Sequence, residues 1–113
     1  MKQIIEKVMQ EDYQGWDNYA TWGVALILDD NQEMLEYVQE EMRRIMDGGG
    51  EEASQVTELE DVIREYVEGM TEEAQADANE MISQLISVAM AEVNWREIAK
   101  SYIDEESLQR SQK

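Results

Sequence analysis

The chain has 113 residues, of which 27 are Asp or Glu and 9 are Lys or Arg, so its formal net charge at pH 7 is −18. It contains no Cys, no His and no Pro. These absences exclude disulfides, thiolate metal sites and histidine-based acid–base chemistry, and they allow long uninterrupted helices. The charge argues against direct binding to nucleic acid or to an anionic membrane, because both would repel the chain.

The length predicts one domain with a single modest core. Hydrophobic residues make up 42% of the chain, and their regular spacing predicts a folded protein rather than a disordered acidic chain. No apolar stretch approaches the roughly 18 residues of a membrane span, and the N-terminus has no signal-peptide pattern. We therefore expect a cytoplasmic protein, and no residue pattern predicts a cofactor.

Residues 1–14 are predicted as a short N-terminal helix, with the amphipathic part at 2–12, and Gly15 supplies a turn after it. Asp17 or Asn18 then caps a helix over residues 18–28. Apolar side chains surround this helix on nearly all sides, which predicts that it is buried and central. Gly23 lies inside it, and we interpret this glycine as a site of close approach by another backbone.

The next three helices follow from their apolar stripes and from capping signals. Asp30 to Glu33 matches a capping box with Asp in the first position, and Gly48–Gly50 ends the helix that follows. A third helix starts near Glu52 and is predicted to end at Gly69. Thr71 is predicted to cap a fourth helix that runs to about Val93, and its nearly uncharged part, residues 81–91, is expected to be buried on several sides.

Asn94 and Glu97 form a second capping-box pattern, which starts the last helix. This helix is expected to bury its apolar side, namely Trp95, Ile98, Ala99, Tyr102 and Ile103. Residues 107–113 are polar and are expected to fray. The predicted fold is therefore all-α, a compact single-domain bundle of about five helices, with the 18–28 helix and the Trp95 helix packed together in the middle.

Acidic residues are concentrated in residues 47–80, where 12 of them accompany a single base, Arg64. Carboxylates at helical spacing can imitate the charges of a phosphate backbone and occupy a basic groove, with fast and salt-sensitive binding. The same residues could instead form a solvated face that only keeps the protein soluble. The candidate partner-binding acids are Glu51, Glu52, Glu58, Glu60, Asp61, Glu65, Glu68, Glu72, Glu73, Asp77 and Glu80.

Two aromatic residues in the predicted turn, Tyr13 and Trp16, are further candidates for partner binding because Trp and Tyr are common in binding hot spots. Tyr19 and Trp22 are better explained as core anchors of the 18–28 helix. The oxygen-rich run Asp29–Asn31 lacks the spacing and glycine of a calcium loop, so no metal site is predicted. Thr21 and the serines have no basic partner that could activate a nucleophile, so no catalytic residue is predicted.

Two segments resemble the signatures of a family of small proteins of unassigned activity found in phages, plasmids and bacterial genomes. Residues 18–30, NYATWGVALILDD, are similar to its motif N-Y-x-T-W-x-V-x-L-[WI]-[LI]-[DN]-[ND], with Ile27 where the family often has a second Trp. Residues 93–99, VNWREIA, are similar to its motif V-[ND]-W-x-E-I-A. The resemblance implies a mobile genetic element, a setting in which acidic proteins block restriction or CRISPR nucleases by imitating DNA.

The charge and this resemblance lead to a hypothesis of a non-enzymatic, DNA-mimic inhibitor of a host nucleic-acid-binding or defence protein. The partner would be a basic nucleic-acid-binding protein. The alternative is a helical protein-interaction or assembly module, a homodimer included, whose contact surface would be the motif at Trp16–Trp22.

Overall fold

The computed structural model describes residues 15–112, and the backbone of this range forms helices without any strand. The helices are α1 (Tyr19–Asp30), α2 (Gln32–Asp47), α3 (Glu52–Asp77), α4 (Glu80–Glu92) and α5 (Trp95–Ser111). The predicted all-α, single-domain bundle is confirmed. The predicted helix at residues 2–12 and the candidate residue Tyr13 lie outside the described residues.

Asparagine side chains start four of the five helices. Asn18, Asn31, Asn79 and Asn94 each accept a hydrogen bond from the backbone N–H three residues further on. Each side chain therefore satisfies one of the N–H groups that a helix leaves without a partner in its first turn. The prediction that Asp30 caps α2 is wrong, because Asp30 is the last residue of α1 and Asn31 is the cap.

The predicted boundary between the third and fourth helices is also wrong. Helix α3 continues through Gly69 and Thr71 to Asp77, and the break falls at Ala78 and Asn79. A glycine inside a helix costs only about 1 kcal/mol relative to alanine. Burial of Val67 and packing of Met70 against the core offset that cost on the same helix.

The core lies mainly between α3 and α5, which make the most extensive helix–helix contact. Trp95, Ile98, Ala99, Tyr102 and Ile103 are all buried, as the stripe on the last helix predicts. Helix α5 continues through residues 107–111, where the polar sequence predicts a frayed end. Its Arg110 contacts Asp47 at 3.1 Å and Glu106 at 3.0 Å. The middle of the bundle is therefore the α3–α5 pair, and α1 packs against its side.

Helix α1 is less buried than its apolar composition predicts. Only Thr21, Ala25 and Leu28 are buried, whereas Tyr19 and Ile27 are 61% and 58% exposed. A Cβ added at Gly23 would meet no atom within 4 Å, so close backbone approach does not explain this glycine. Gly15 does occupy a turn, with a φ of +95°. Within residues 15–112, no helix is both long and apolar enough to cross a membrane.

Candidate functional site

The side of α3 opposite the core carries a row of carboxylates, of which Glu68 and Glu72 line a cleft shared with Ser87 and Met90 of α4. An α-helix turns about 100° per residue, so residues spaced alternately three and four apart lie on one side. The buried residues Val56, Leu59, Ile63 and Val67 follow this spacing and face the core. The opposite side carries five acids at the same spacing, here called the acidic stripe: Glu58, Asp61, Glu65, Glu68 and Glu72.

Few cations neutralise the acidic stripe. Arg64 donates from its Nε to Glu68 at 2.7 Å, and this hydrogen bond, reinforced by the charge of Glu68, raises the pKa of the Arg64 guanidinium. Glu58 lies 3.9 Å from Arg44, which is long for a direct contact. Among the described residues, Asp61, Glu65 and Glu72 have no ion pair. The cations of residues 15–112 therefore compensate the charge of the acidic stripe only in part.

The other candidate acids are placed differently. Glu60 and Glu52 point towards α5, where they approach Arg96 at 3.6 Å and Lys100 at 3.8 Å. All four side chains remain partly exposed to solvent, so these pairs contribute little to stability. The remaining acids are exposed but lie beside the stripe or at helix ends, namely Glu51, Glu73, Asp77 and Glu80. The structure thus brings five of the eleven predicted acids into one row.

Trp16 is the one aromatic candidate among the described residues. Trp16 is half-buried and packs against the core. Tyr19, which the sequence assigns to the core, is mostly exposed, and its ring lies 5.4 Å from that of the half-buried Trp22. The prediction of core burial is therefore wrong for Tyr19, and Trp16 is a partly exposed residue that packs against the core.

Polar residues in and next to the two sequence signatures form hydrogen bonds with one another where α1 meets the start of α5. The Thr21 hydroxyl donates to Asn18 Oδ1 at 2.9 Å and accepts from the backbone N–H of Asn94 at 2.8 Å. The Asn18 side chain donates to the carbonyl of Glu92 at 2.7 Å, and Glu97 accepts from the backbone N–H of Asp17 at 2.9 Å. These residues form an architectural junction between distant parts of the chain.

An open surface cleft of about 510 Å³ lies beside this junction. Trp16, Arg96 and Lys100 are among its lining residues. The two cations already have partners, since Arg96 contacts Glu60 and Lys100 contacts Asp104 at 2.9 Å. Within the described part of the chain, no three Asp or Glu side chains are grouped so that they could hold a metal ion.

Sequence reasoning missed an apolar surface on α4. The uncharged run 81–91 is predicted to be buried, but α4 has no buried residue. Met81, Leu85 and Val88 are 69%, 63% and 63% exposed, and Ile82 is 46% exposed. The prediction is wrong because α4 packs against the bundle only through its other side, where Met90 touches the core. The low charge of residues 81–91 does mark a distinct side of α4, but this side is exposed rather than buried.

Comparison of the chain with protein-family models, with curated proteins and with solved structures found no match.

Proposed function

We propose that this protein is a non-enzymatic, acidic binding protein of a phage or plasmid that acts in the cytoplasm. Its partner is a basic nucleic-acid-binding protein of the host, such as a nuclease or another defence protein, and its binding surface is the acidic stripe on α3. The protein inhibits its partner by occupying the groove that would otherwise hold DNA. The single observation that carries this proposal is the row of carboxylates on one side of α3.

The dimensions of the stripe suit this role. Glu58 and Glu72 are 14 residues apart, which corresponds to about 21 Å along a helix axis at 1.5 Å per residue. Five carboxylates over that length give one charge per roughly 5 Å, against one phosphate per 3.4 Å along a single DNA strand. A basic groove shaped for a phosphate backbone would therefore meet a comparable line of negative charge.

The way α3 packs against the bundle also favours a binding role for the acidic stripe over a role in solubility alone. Its opposite side is the apolar row that packs against α5 in the centre of the bundle. The carboxylates are consequently held on a rigid, well-packed helix, and rigidity lowers the entropy cost of binding. Among the described residues, the acids that face α5 meet cations, whereas Asp61, Glu65 and Glu72 have no ion pair, so their charge is available to a partner.

A capture experiment tests the proposal. The tagged protein is incubated with host lysate, and retained proteins are eluted first with duplex DNA and then with salt. A DNA-mimic predicts basic proteins that duplex DNA displaces and that bind more weakly as the salt concentration rises. Retained partners that ignore both DNA and salt would contradict it.

Matched variants sharpen this experiment. Asp61→Asn, Glu65→Gln and Glu72→Gln together remove three uncompensated charges of the stripe. The control Glu33→Gln, Glu40→Gln and Glu105→Gln removes three exposed charges elsewhere. The first variant should weaken binding on the order of tenfold, from a few tenths to 1 kcal/mol per charge. Equal losses of binding affinity in both variants would mean that binding depends on the net charge of the protein and not on the acidic stripe.

The second candidate function is a helical interaction or assembly module. The observation that favours it is the exposure of four large apolar side chains on α4, which adds a second candidate contact surface to the motif at Trp16–Trp22. Measuring the mass of the protein in solution over a range of concentrations tests this function.

A further inference from the structure

The side of α1 that faces away from the core is apolar and exposed. Leu26 and Ile27 are 44% and 58% exposed, and Tyr19, two turns before them, is 61% exposed. We call these three side chains the α1 face. An apolar depression of about 50 Å³ adjoins it and is lined by Val24, Ile27, Leu28, Met34, Val67 and Met70. The α1 face therefore suits the apolar side of another helix.

We propose that residues 2–12 of this chain form an amphipathic helix that packs antiparallel to α1 on the α1 face. These residues lie outside the part of the chain that the structure describes, and their sequence places Ile4, Ile5, Val8 and Met9 at the spacing of one helix side. They carry two bases and three acids, a net charge of −1 in a chain of net charge −18. The segment can therefore approach the protein with little repulsion.

The place where this segment joins the described chain selects α1 as its neighbour. Only residues 13–18 separate it from the start of α1 at Tyr19, and connections of about two to eight residues join neighbouring helices in bundles. Gly15, with a φ of +95°, makes a turn in this connection. A helix over 2–12 would be about 17 Å long and α1 is about 18 Å long, so the two match in length.

The covalent connection also explains why a small apolar area suffices. Two separate molecules must offset the loss of translational and rotational freedom when they bind, whereas a tethered segment is already held near its site at a high effective concentration. The α1 face and the adjoining depression can therefore hold residues 2–12, although they would be too small for a stable contact between separate molecules. This contact does not rest on the proposed function, which uses the acidic stripe on α3.

The short connection sets the register of the pair. Counting outwards from the turn in both directions places Ile4 opposite Ile27 and Ile5 opposite Leu26. Both isoleucines then lie beside the apolar depression that Ile27 lines. One register therefore brings the most apolar part of the segment to the most exposed apolar part of α1.

Charge supports the same register. The count places Lys2 opposite Asp29 and next to Asp30, at the end of α1. Within residues 15–112, neither of these aspartates forms an ion pair. The last turn of α1 contains no basic residue, and the helix dipole favours a cation at that position. Lys2 supplies this cation in the antiparallel arrangement, whereas a parallel arrangement would leave it at the opposite end of α1.

Tryptic cleavage after Lys7 tests the contact, because a docked helix must open before a protease can cut it. Cleavage in the full-length protein should be on the order of tenfold slower than in a synthetic peptide of residues 1–14. Ile27→Asp places a carboxylate in the contact and should remove most of this protection. The control Val88→Asp adds the same charge on the exposed side of α4 and should leave the protection intact.

Both substituted positions are more than half exposed, so both variants should remain folded, which circular dichroism checks. Cleavage of the native protein as fast as of the peptide would overturn the proposal. Equal acceleration by the two substitutions would also overturn it. Acceleration by Val88→Asp alone would place the segment on α4 instead and reject the contact with α1.

Disulfide trapping gives an independent readout of the register. The chain contains no Cys, so Ile4→Cys combined with Ile27→Cys introduces one pair of thiols that the register places opposite each other. Under mild oxidation this pair should form an intramolecular disulfide on the order of tenfold faster than Ile4→Cys combined with Val88→Cys. Mass spectrometry after alkylation of the remaining thiols measures both rates. Equal rates, or faster trapping with Val88→Cys, would reject antiparallel packing on α1.

Discussion

Replacing Thr21 by valine should destabilise the protein although the two side chains have nearly the same shape. Thr21 is fully buried, and it is the one polar residue among the buried side chains of residues 15–112. Its hydroxyl connects the cap of α1 to the cap of α5 through Asn18 and Asn94. Valine keeps the volume and removes both hydrogen bonds.

The magnitude follows from the partners that are left behind. Asn18 Oδ1 retains the backbone N–H of Thr21 as a donor at 2.9 Å, so its loss is small. The backbone N–H of Asn94 loses its acceptor in a partly buried position, which costs about 1–3 kcal/mol. We therefore expect the free energy of unfolding to fall by about 2 kcal/mol, which lowers Tm by roughly 8 °C for a domain of this size.

Urea and thermal unfolding followed by circular dichroism measure this change. The control is Thr57→Val, because the Thr57 hydroxyl also accepts a hydrogen bond, from Arg96 at 3.1 Å, but at an exposed position. That control should change the free energy by less than about 0.5 kcal/mol. Equal stability of Thr21→Val and the native protein would refute the idea that the junction depends on this hydroxyl.

Three further predictions concern α1, α4 and α5. Burial, followed by the 2.7 Å hydrogen bond to Asp29, raises the pKa of the Tyr102 phenol above its usual 10.0. The folded state therefore retains a proton that the unfolded state loses. The stability that this group contributes is complete below about pH 10 and declines as the pH rises further. Urea titrations at several pH values should show that Tyr102→Phe lacks this alkaline loss of stability. Gly23→Ala should raise the free energy of unfolding by about 1 kcal/mol, because the added Cβ meets no atom and the residue is helical, and an unchanged or lower Tm would contradict this. Asn79→Ala should cost about 1 kcal/mol and reduce helix content by circular dichroism because it removes the cap of α4, whereas Thr71→Ala should cost less; the reverse order would restore the boundary that the sequence predicts.

Local chemistry predicts the helices and several of their ends. The 3.6-residue spacing of apolar side chains identifies the buried sides of α3 and α5, because each side must face the core wherever the helix lies. Asn94 is predicted as a cap, and so is either Asp17 or Asn18, because a side-chain oxygen satisfies N–H groups within the same turn; the structure selects Asn18. Gly69 and Thr71 led to a wrong helix boundary because both residue types are common at helix ends. Inside a helix that packs against the core, each of them costs little stability.

The amino-acid sequence by itself determined that the chain is helical, strongly acidic and without Cys or His, and it placed carboxylates along the side of α3 that faces away from the core. Only the tertiary structure decided which apolar residues are covered. Periodicity shows that a side is apolar, but burial depends on whether another helix packs there. Helix α1 leaves Tyr19 and Ile27 exposed, and α4 leaves Met81, Leu85 and Val88 exposed. The reason is that α3 and α5 pack mainly against each other in the centre, and no described helix packs over those exposed sides.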